Sequence, residues 1–167
     1  LACDHEGVRP DIVILGKALS GGVLPVSAVL ADDDVMMVIK PGEHGSTFGG
    51  NPLACRVAMA ALQVVLDENL CERAATAGDR FRSRLQQSVG KYSWVQEIRG
   101  KGLLNAVVVD PAFKHSGWDI CINMMEAGLL AKPTHDHIIR FAPPLVITDN
   151  ELDQGIAIIE NAFAKLN

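Results

Sequence analysis

DIVILGKALSGG, residues 11–22, sets a short apolar run directly against a lysine and a pair of glycines. Asp11–Leu15, bounded by Pro10 and Gly16, is β-branched and apolar enough to read as a buried strand. Lys17 is thereby delivered to the carboxyl end of that strand and followed at once by small residues. Desolvation beside an apolar strand disfavours the charged ammonium, which suits an amine that serves as a Schiff-base nucleophile. The plainer alternative is a lysine that snorkels from a strand end into solvent. A P-loop is excluded, because Lys17 is followed by Ala18 rather than Ser or Thr and lacks the upstream glycine spacing. Val26–Ala31, entered after Gly21-Gly22 and Pro25, is a second strand candidate.

Downstream, Pro41–Gly50 (PGEHGSTFGG) holds four glycines, a proline and two hydroxyls, and reads as a loop. Asn51-Pro52 then opens a helix, with Asn as cap and Pro at the first helical position, where its missing N–H costs nothing. Leu53, Val57, Ala61, Val64 and Val65 carry that helix to about Asp67. Ser46 and Thr47, in a glycine-rich loop leading to a helix N-terminus, fit a phosphate site; an ordinary flexible loop before a capped helix fits as well. A second helix spans about Glu72–Gln87, with Ala74, Ala77, Phe81 and Leu85 as its apolar stripe.

Beyond Gly90 the pattern is β-β-α-β-β-α. Strands are expected at Trp94–Ile98, Leu103–Val109, Leu129–Ala131 and Ile138–Phe141, with a turn at Arg99–Gly102. Helices are expected at Trp118–Glu126, stopped by Gly128, and at Asp149–Lys165, capped by Asp149 or Asn150. Arg140 lies among apolar residues near a strand end, and its permanent charge calls for an anion, either an internal carboxylate or that of a ligand. His135-Asp136-His137 has ligand-type side chains but no third ligand at useful spacing, and reads as a polar turn. The first ninety residues, with two strands and two long helices, look like part of a larger parallel sheet.

Composition narrows the function. The chain has 167 residues, 49% hydrophobic and 21% charged, with a net charge of −5. That is globular composition, and at this length a chain buries roughly two thirds of its unfolded surface. The acidic balance, with no Lys/Arg cluster, argues against nucleic-acid binding. No apolar run approaches the ~20 residues that span a bilayer, so no membrane partner is expected. Asp4, His5, Glu6 and Arg9 interrupt the start, so no secretory leader is expected there. Cys3, Cys55, Cys71 and Cys121 are too scattered for a zinc site and read as reduced thiols of a cytosolic or organellar-matrix protein.

Taken together and in order, DIVILGKALSGG, PGEHGSTFGGNPLAC, RGKGLLNAVVV and GLLAKPTHDHIIRFAPPLVIT resemble the class-III, fold-type-I pyridoxal-phosphate aminotransferases over essentially the whole chain. The wording is nearest to the ornithine-type members, with acetylornithine and other ω-aminotransferases as the alternative. The resemblance implies an α/β fold: the end of the large cofactor-binding domain over about 1–90, then a small α+β domain over about 91–167. It implies that Lys17 holds pyridoxal 5'-phosphate covalently and moves protons during transfer of the δ-amino group of ornithine to 2-oxoglutarate. It also implies that Ser46 and Thr47 reach the cofactor phosphate of a neighbouring subunit in a dimer or higher homo-oligomer, that Arg140 holds a substrate carboxylate, and that the compartment is mitochondrial matrix or cytoplasm. In that family the acid that pairs with the pyridinium nitrogen and the aromatic that stacks on the ring lie upstream of the lysine. Asp4 and Asp11 are too near Lys17 to serve. The chain is therefore expected to be the C-terminal part of such an enzyme, with little or no activity alone, or else a non-catalytic module that pairs with an intact subunit.

Overall fold

The computed structural model describes residues Leu1–Leu166. They form two compact units, Leu1–Glu68 and Asn69 to the C-terminus.

The first unit contains α1 (Ala2–His5), β1 (Ile12–Leu15), β2 (Ala28–Ala31), α2 (Asp33–Met36) and α3 (Pro52–Asp67). β1 and β2 pair antiparallel, from Ile12↔Ala31 to Leu15↔Ala28. A parallel return needs a crossover of a dozen or more residues, usually a helix; here the link holds only a 3-10 turn, Lys17–Ser20. The strand expected to be buried is largely open, with Ile12 and Ile14 exposed at 50% and 76%. Two strands alone cannot supply the second layer that burial requires. α3 begins as its sequence dictates: Asn51 Oδ1 accepts from the Ala54 N–H at 2.9 Å, and Pro52 occupies the first turn. Ser20, Ala54 and Ala58 are the buried residues among those described in this unit.

The second unit holds α4 (Leu70–Ser88), β3 (Val95–Lys101), β4 (Leu104–Val109), α5 (Gly117–Glu126), β5 (Lys132–Thr134), β6 (Ile138–Phe141) and α6 (Asp149–Ala164). Its sheet runs β3-β4-β6-β5, antiparallel throughout. From β3 onward the expected β-β-α-β-β-α order is present. The core includes Phe81, Leu85, Val107, Ile120, Met124, Ile139, Ile156 and Phe163. Trp94 lies in that core, its ring stacked 4.2 Å from Phe113 and 5.3 Å from Tyr92. The sequence division near residue 90 differs from the compact-unit division at Glu68 because Phe81 and Leu85 of α4 join this core.

Local boundaries moved where chemistry was subtle. The turn expected over Arg99–Gly102 is tighter, with β3 continuing to Lys101. Leu129–Ala131 is not strand: the Gly128 cap, at φ 94°, lets Leu129 N donate to the Met124 carbonyl, and the strand starts at Lys132. α6 is capped by Thr148, not by Asp149 or Asn150. All four cysteines are free, and burial pushes the Cys121 thiol up to about 11. No helix among the described residues is long and apolar enough to cross a membrane.

The caps of α5 and α6 make stability acid-sensitive. Glu151 accepts from Thr148 Oγ1 at 2.7 Å and from its N–H at 2.8 Å; these bonds hold the carboxyl below its usual 4.5. Asp119 is held below 3.8 by the Ser116 N–H and hydroxyl, both at 2.8 Å. A carboxyl lowered in the folded state stabilises above its unfolded value and loses that contribution as pH falls through the folded one. Urea midpoints of the chain should therefore drop below about pH 4.5, and Glu151→Gln with Asp119→Asn should flatten that limb.

Candidate active site

β1 ends at Leu15, Gly16 stays extended, and Lys17 then turns sharply at φ 53°. That left-handed conformation costs a residue with a side chain about 1–2 kcal/mol, a strain that persists only where surroundings impose it. Gly21, at φ 62°, closes the turn by donating its N–H to the Ala18 carbonyl, and buried Ser20 donates to the Lys17 carbonyl at 3.4 Å. The turn rests on α3, since a Cβ on Gly21 would stand 3.3 Å from the Ala61 Cβ. Lys17 itself is exposed, so the desolvation expected from a buried strand is not provided by these residues.

The loop before α3 is folded on itself. Ser46 Oγ accepts from the Gly49 N–H at 3.0 Å, and Asn51 Nδ2 donates to the Phe48 carbonyl at 2.8 Å. A Cβ at Gly49 would come within 2.9 Å of the Ser46 Cβ. Phe48 projects outward, 80% exposed. Thr47 is exposed and makes no hydrogen bond among the described residues.

Lys17 and this loop meet across an open cleft of about 440 Å³, walled by Ser27, Phe48, Asn51 and Cys55. Lys17 is the single amine on its lining, and no carboxylate lines it. Ser46 and Thr47 do not line it, so the structure groups Lys17 with the end of the loop and not with its two hydroxyls. Sequence reasoning missed Ser27, Phe48 and Cys55 as walls. An aromatic flanked by Thr47 and two glycines was the available signal for Phe48.

Arg140 lies in the second unit. Its strand neighbours Ile139 and Phe141 are buried, so alternation puts Arg140 on the exposed sheet face. Among the described residues no carboxylate pairs with it. His135 and Asp136 form a left-handed turn at φ 51° and 57°, as the polar-turn reading required. Among the described residues no three His, Cys, Asp or Glu side chains group to hold a metal ion.

The class-III aminotransferase family model matches residues 1–163. The mitochondrial ornithine aminotransferase of Drosophila melanogaster is 56% identical over 166 residues, which is 99% of this chain but 38% of that protein. The ornithine aminotransferase structure from Toxoplasma gondii, with partial occupancy of pyridoxal phosphate at its active site, superposes with a TM-score of 0.95 at 51% identity. It covers 99% of this chain and 39% of that one. The acetylornithine aminotransferase structure from Elizabethkingia anophelis gives 0.92 at 57% identity, over 99% and 43% of the two chains. The chain thus spans well under half the length of the proteins it matches.

Proposed function

Because this chain belongs to the class-III aminotransferases, we propose that it is the lysine-bearing portion of an ornithine-type aminotransferase, working in the mitochondrial matrix or cytoplasm. The observation that carries the reading is Lys17: the single amine on the cleft lining, at a strained turn where a strand ends.

The cleft accommodates part of the cofactor this family uses. Lys17 offers an amine to an aldehyde, and Phe48 offers a ring face. A carboxylate for a pyridinium nitrogen is absent from the lining, so that contact has to come from residues other than these. Bound pyridoxal phosphate supplies an electron sink for the carbon that exchanges its amino group. Lys17 Nζ would hold the cofactor and, as a free amine, would carry a proton to and from that carbon. Ser46 and Thr47, exposed and outside the Lys17 cleft, serve the cofactor phosphate of a second subunit. Arg140, exposed and with no ion-pair partner among the described residues, takes a substrate carboxylate, in line with an amino-acid donor and a 2-oxo-acid acceptor. The resemblance to an acetylornithine enzyme at 57% identity makes acetylornithine the second donor to assay.

A trapping experiment tests the reading. The chain is mixed with pyridoxal phosphate, reduced with borohydride and digested for peptide mass. Saturable labelling confined to Lys17 is expected; labelling of Lys17 no stronger than that of exposed lysines such as Lys40, Lys91 and Lys114 would overturn a preformed cofactor-holding turn in this chain and leave it a portion whose site needs the rest of the enzyme.

A further inference from the structure

The packed centre of the first unit is the lysine turn, not its strands. Ser20, Ala54 and Ala58 are buried there, while Ile12 and Ile14 of β1 stand open. On α3, Ala54, Ala58 and Ala61 are spaced four and three residues apart and so share one face. The 3-10 turn packs on α3, with Gly21 set against Ala61. Small side chains on that face let the turn come close, and Ser20 is left 3% exposed by these residues alone.

Ser20 is the odd member of this centre. It buries a hydroxyl where alanine would fill nearly the same space with no polar group to desolvate. That hydroxyl donates to the Lys17 carbonyl at 3.4 Å. The carbonyl belongs to the peptide directly after the strained Lys17 α-carbon, at φ 53°. The Leu19 N–H on the Gly16 carbonyl at 3.1 Å and the Gly21 N–H on the Ala18 carbonyl at 3.0 Å brace the turn around it. A return of Lys17 to a negative φ would swing this peptide, draw the carbonyl away and leave a buried donor unpaired. The hydroxyl therefore opposes the relaxation that the lysine backbone otherwise favours.

Resting on the reading of Lys17 as the amine that takes the cofactor aldehyde, we propose that Ser20 is its positioning residue. The buried hydroxyl holds the Lys17 backbone left-handed, so that the amine is presented to the cleft before any cofactor arrives. Ser20 is off the cleft lining and acts through the lysine. Orientation set in advance shows in the rate at which an amine meets an aldehyde. At 3.4 Å the bond is long for a hydroxyl, so the effect on that rate is modest.

The test follows two signals in the isotope-labelled chain and its variants. The one-bond Cα–Hα coupling of Lys17, smaller at positive φ than at negative φ, reports its backbone. The initial rate of pyridoxal-phosphate labelling at Lys17, divided by that at exposed Lys114, reports how the amine is presented. Ser20→Ala should raise the coupling toward its negative-φ value and lower the ratio about threefold, the scale of one weak hydrogen bond. Ser20→Cys, close in volume but a poor donor, should do the same, and it carries both expectations where Ser20→Ala unfolds the unit. Ala60→Gly, on the exposed side of α3, should speed amide exchange in that helix and leave both signals at the parent's values. If the Ser20 variants speed that exchange yet keep the parent's coupling and ratio, the side chain only fills space; the inference falls and the reading of Lys17 stands. A parent coupling typical of negative φ would overturn the inference outright. Labelling of Lys17 no faster than that of Lys114 in the parent would remove the preformed turn, and the inference falls with it.

Discussion

A Gly78→Ala chain is expected to lose its second unit at 25 °C, with the α4 and sheet contribution to circular dichroism gone in the absence of urea. Gly78 is buried in α4 against the turn between β3 and β4; an added Cβ would stand 1.9 Å from the Gly102 carbonyl oxygen and 2.4 Å from its carbon. Both obstacles are backbone, so no rotamer change removes them. The turn itself is pinned: the Gly102 carbonyl accepts from Arg82 Nη1 at 2.9 Å, and buried Asn105 accepts from the same nitrogen at 2.6 Å. Over-packing ordinarily costs ~1–3 kcal/mol, and a clash that requires α4 to lift from the sheet belongs with the exceptional losses above about 4 kcal/mol. Thr76→Ala, on the exposed side of the same helix, should change the unfolding free energy by no more than about 0.5 kcal/mol. A Gly78→Ala chain with the parent's midpoint would show that the contact is loose.

Exchanging Lys17 should abolish cofactor trapping at that position altogether while leaving the fold intact. Lys17→Arg keeps the positive charge but offers no amine able to condense with an aldehyde, so it should be as silent as Lys17→Ala. Lys17→Gly adds a second, opposite readout. At φ 53° a side chain is strained by about 1–2 kcal/mol, and glycine removes that strain against an entropy cost of ~0.5–1 kcal/mol. Slower amide exchange in β1 of Lys17→Gly than in Lys17→Ala is the expected outcome. Equal exchange rates would mean the turn is not imposed on the lysine by its surroundings. Trapping that survives in Lys17→Arg would remove Lys17 from the mechanism.

Much of this was legible because local chemistry sufficed. Asn51-Pro52 announces α3 by itself, and Gly128 stops α5 where it should. The ββαββα order follows from alternation and turn residues. What was illegible depends on partners. An apolar run such as Ile12–Leu15 carries the same letters whether or not a second layer covers it, so its exposure could not be read from composition. Lys132-Pro133-Thr134 lacks strand propensity, yet an edge position tolerates the proline. The cleft lining was read only at Lys17; Phe48 and Cys55 join it through the path of a loop and the phase of a helix. That Arg140 stands opposite Lys132 was not legible, because register is a tertiary fact.

The aromatic stack at Trp94 also governs what light can report. Trp94, Trp118 and Tyr92, the chain's two tryptophans and its single tyrosine, all lie after Glu68. Absorbance and emission at 280 nm excitation therefore describe the second unit alone, with Trp94 buried and Trp118 61% exposed as two distinct emitters. The first sixty-eight residues, Lys17 among them, hold no tryptophan or tyrosine and are dark at 280 nm, with Phe48 absorbing only weakly at shorter wavelength. A melting curve taken by tryptophan fluorescence would pass over them in silence, and a cofactor arriving at Lys17 would bring that unit its first strong near-ultraviolet absorbance.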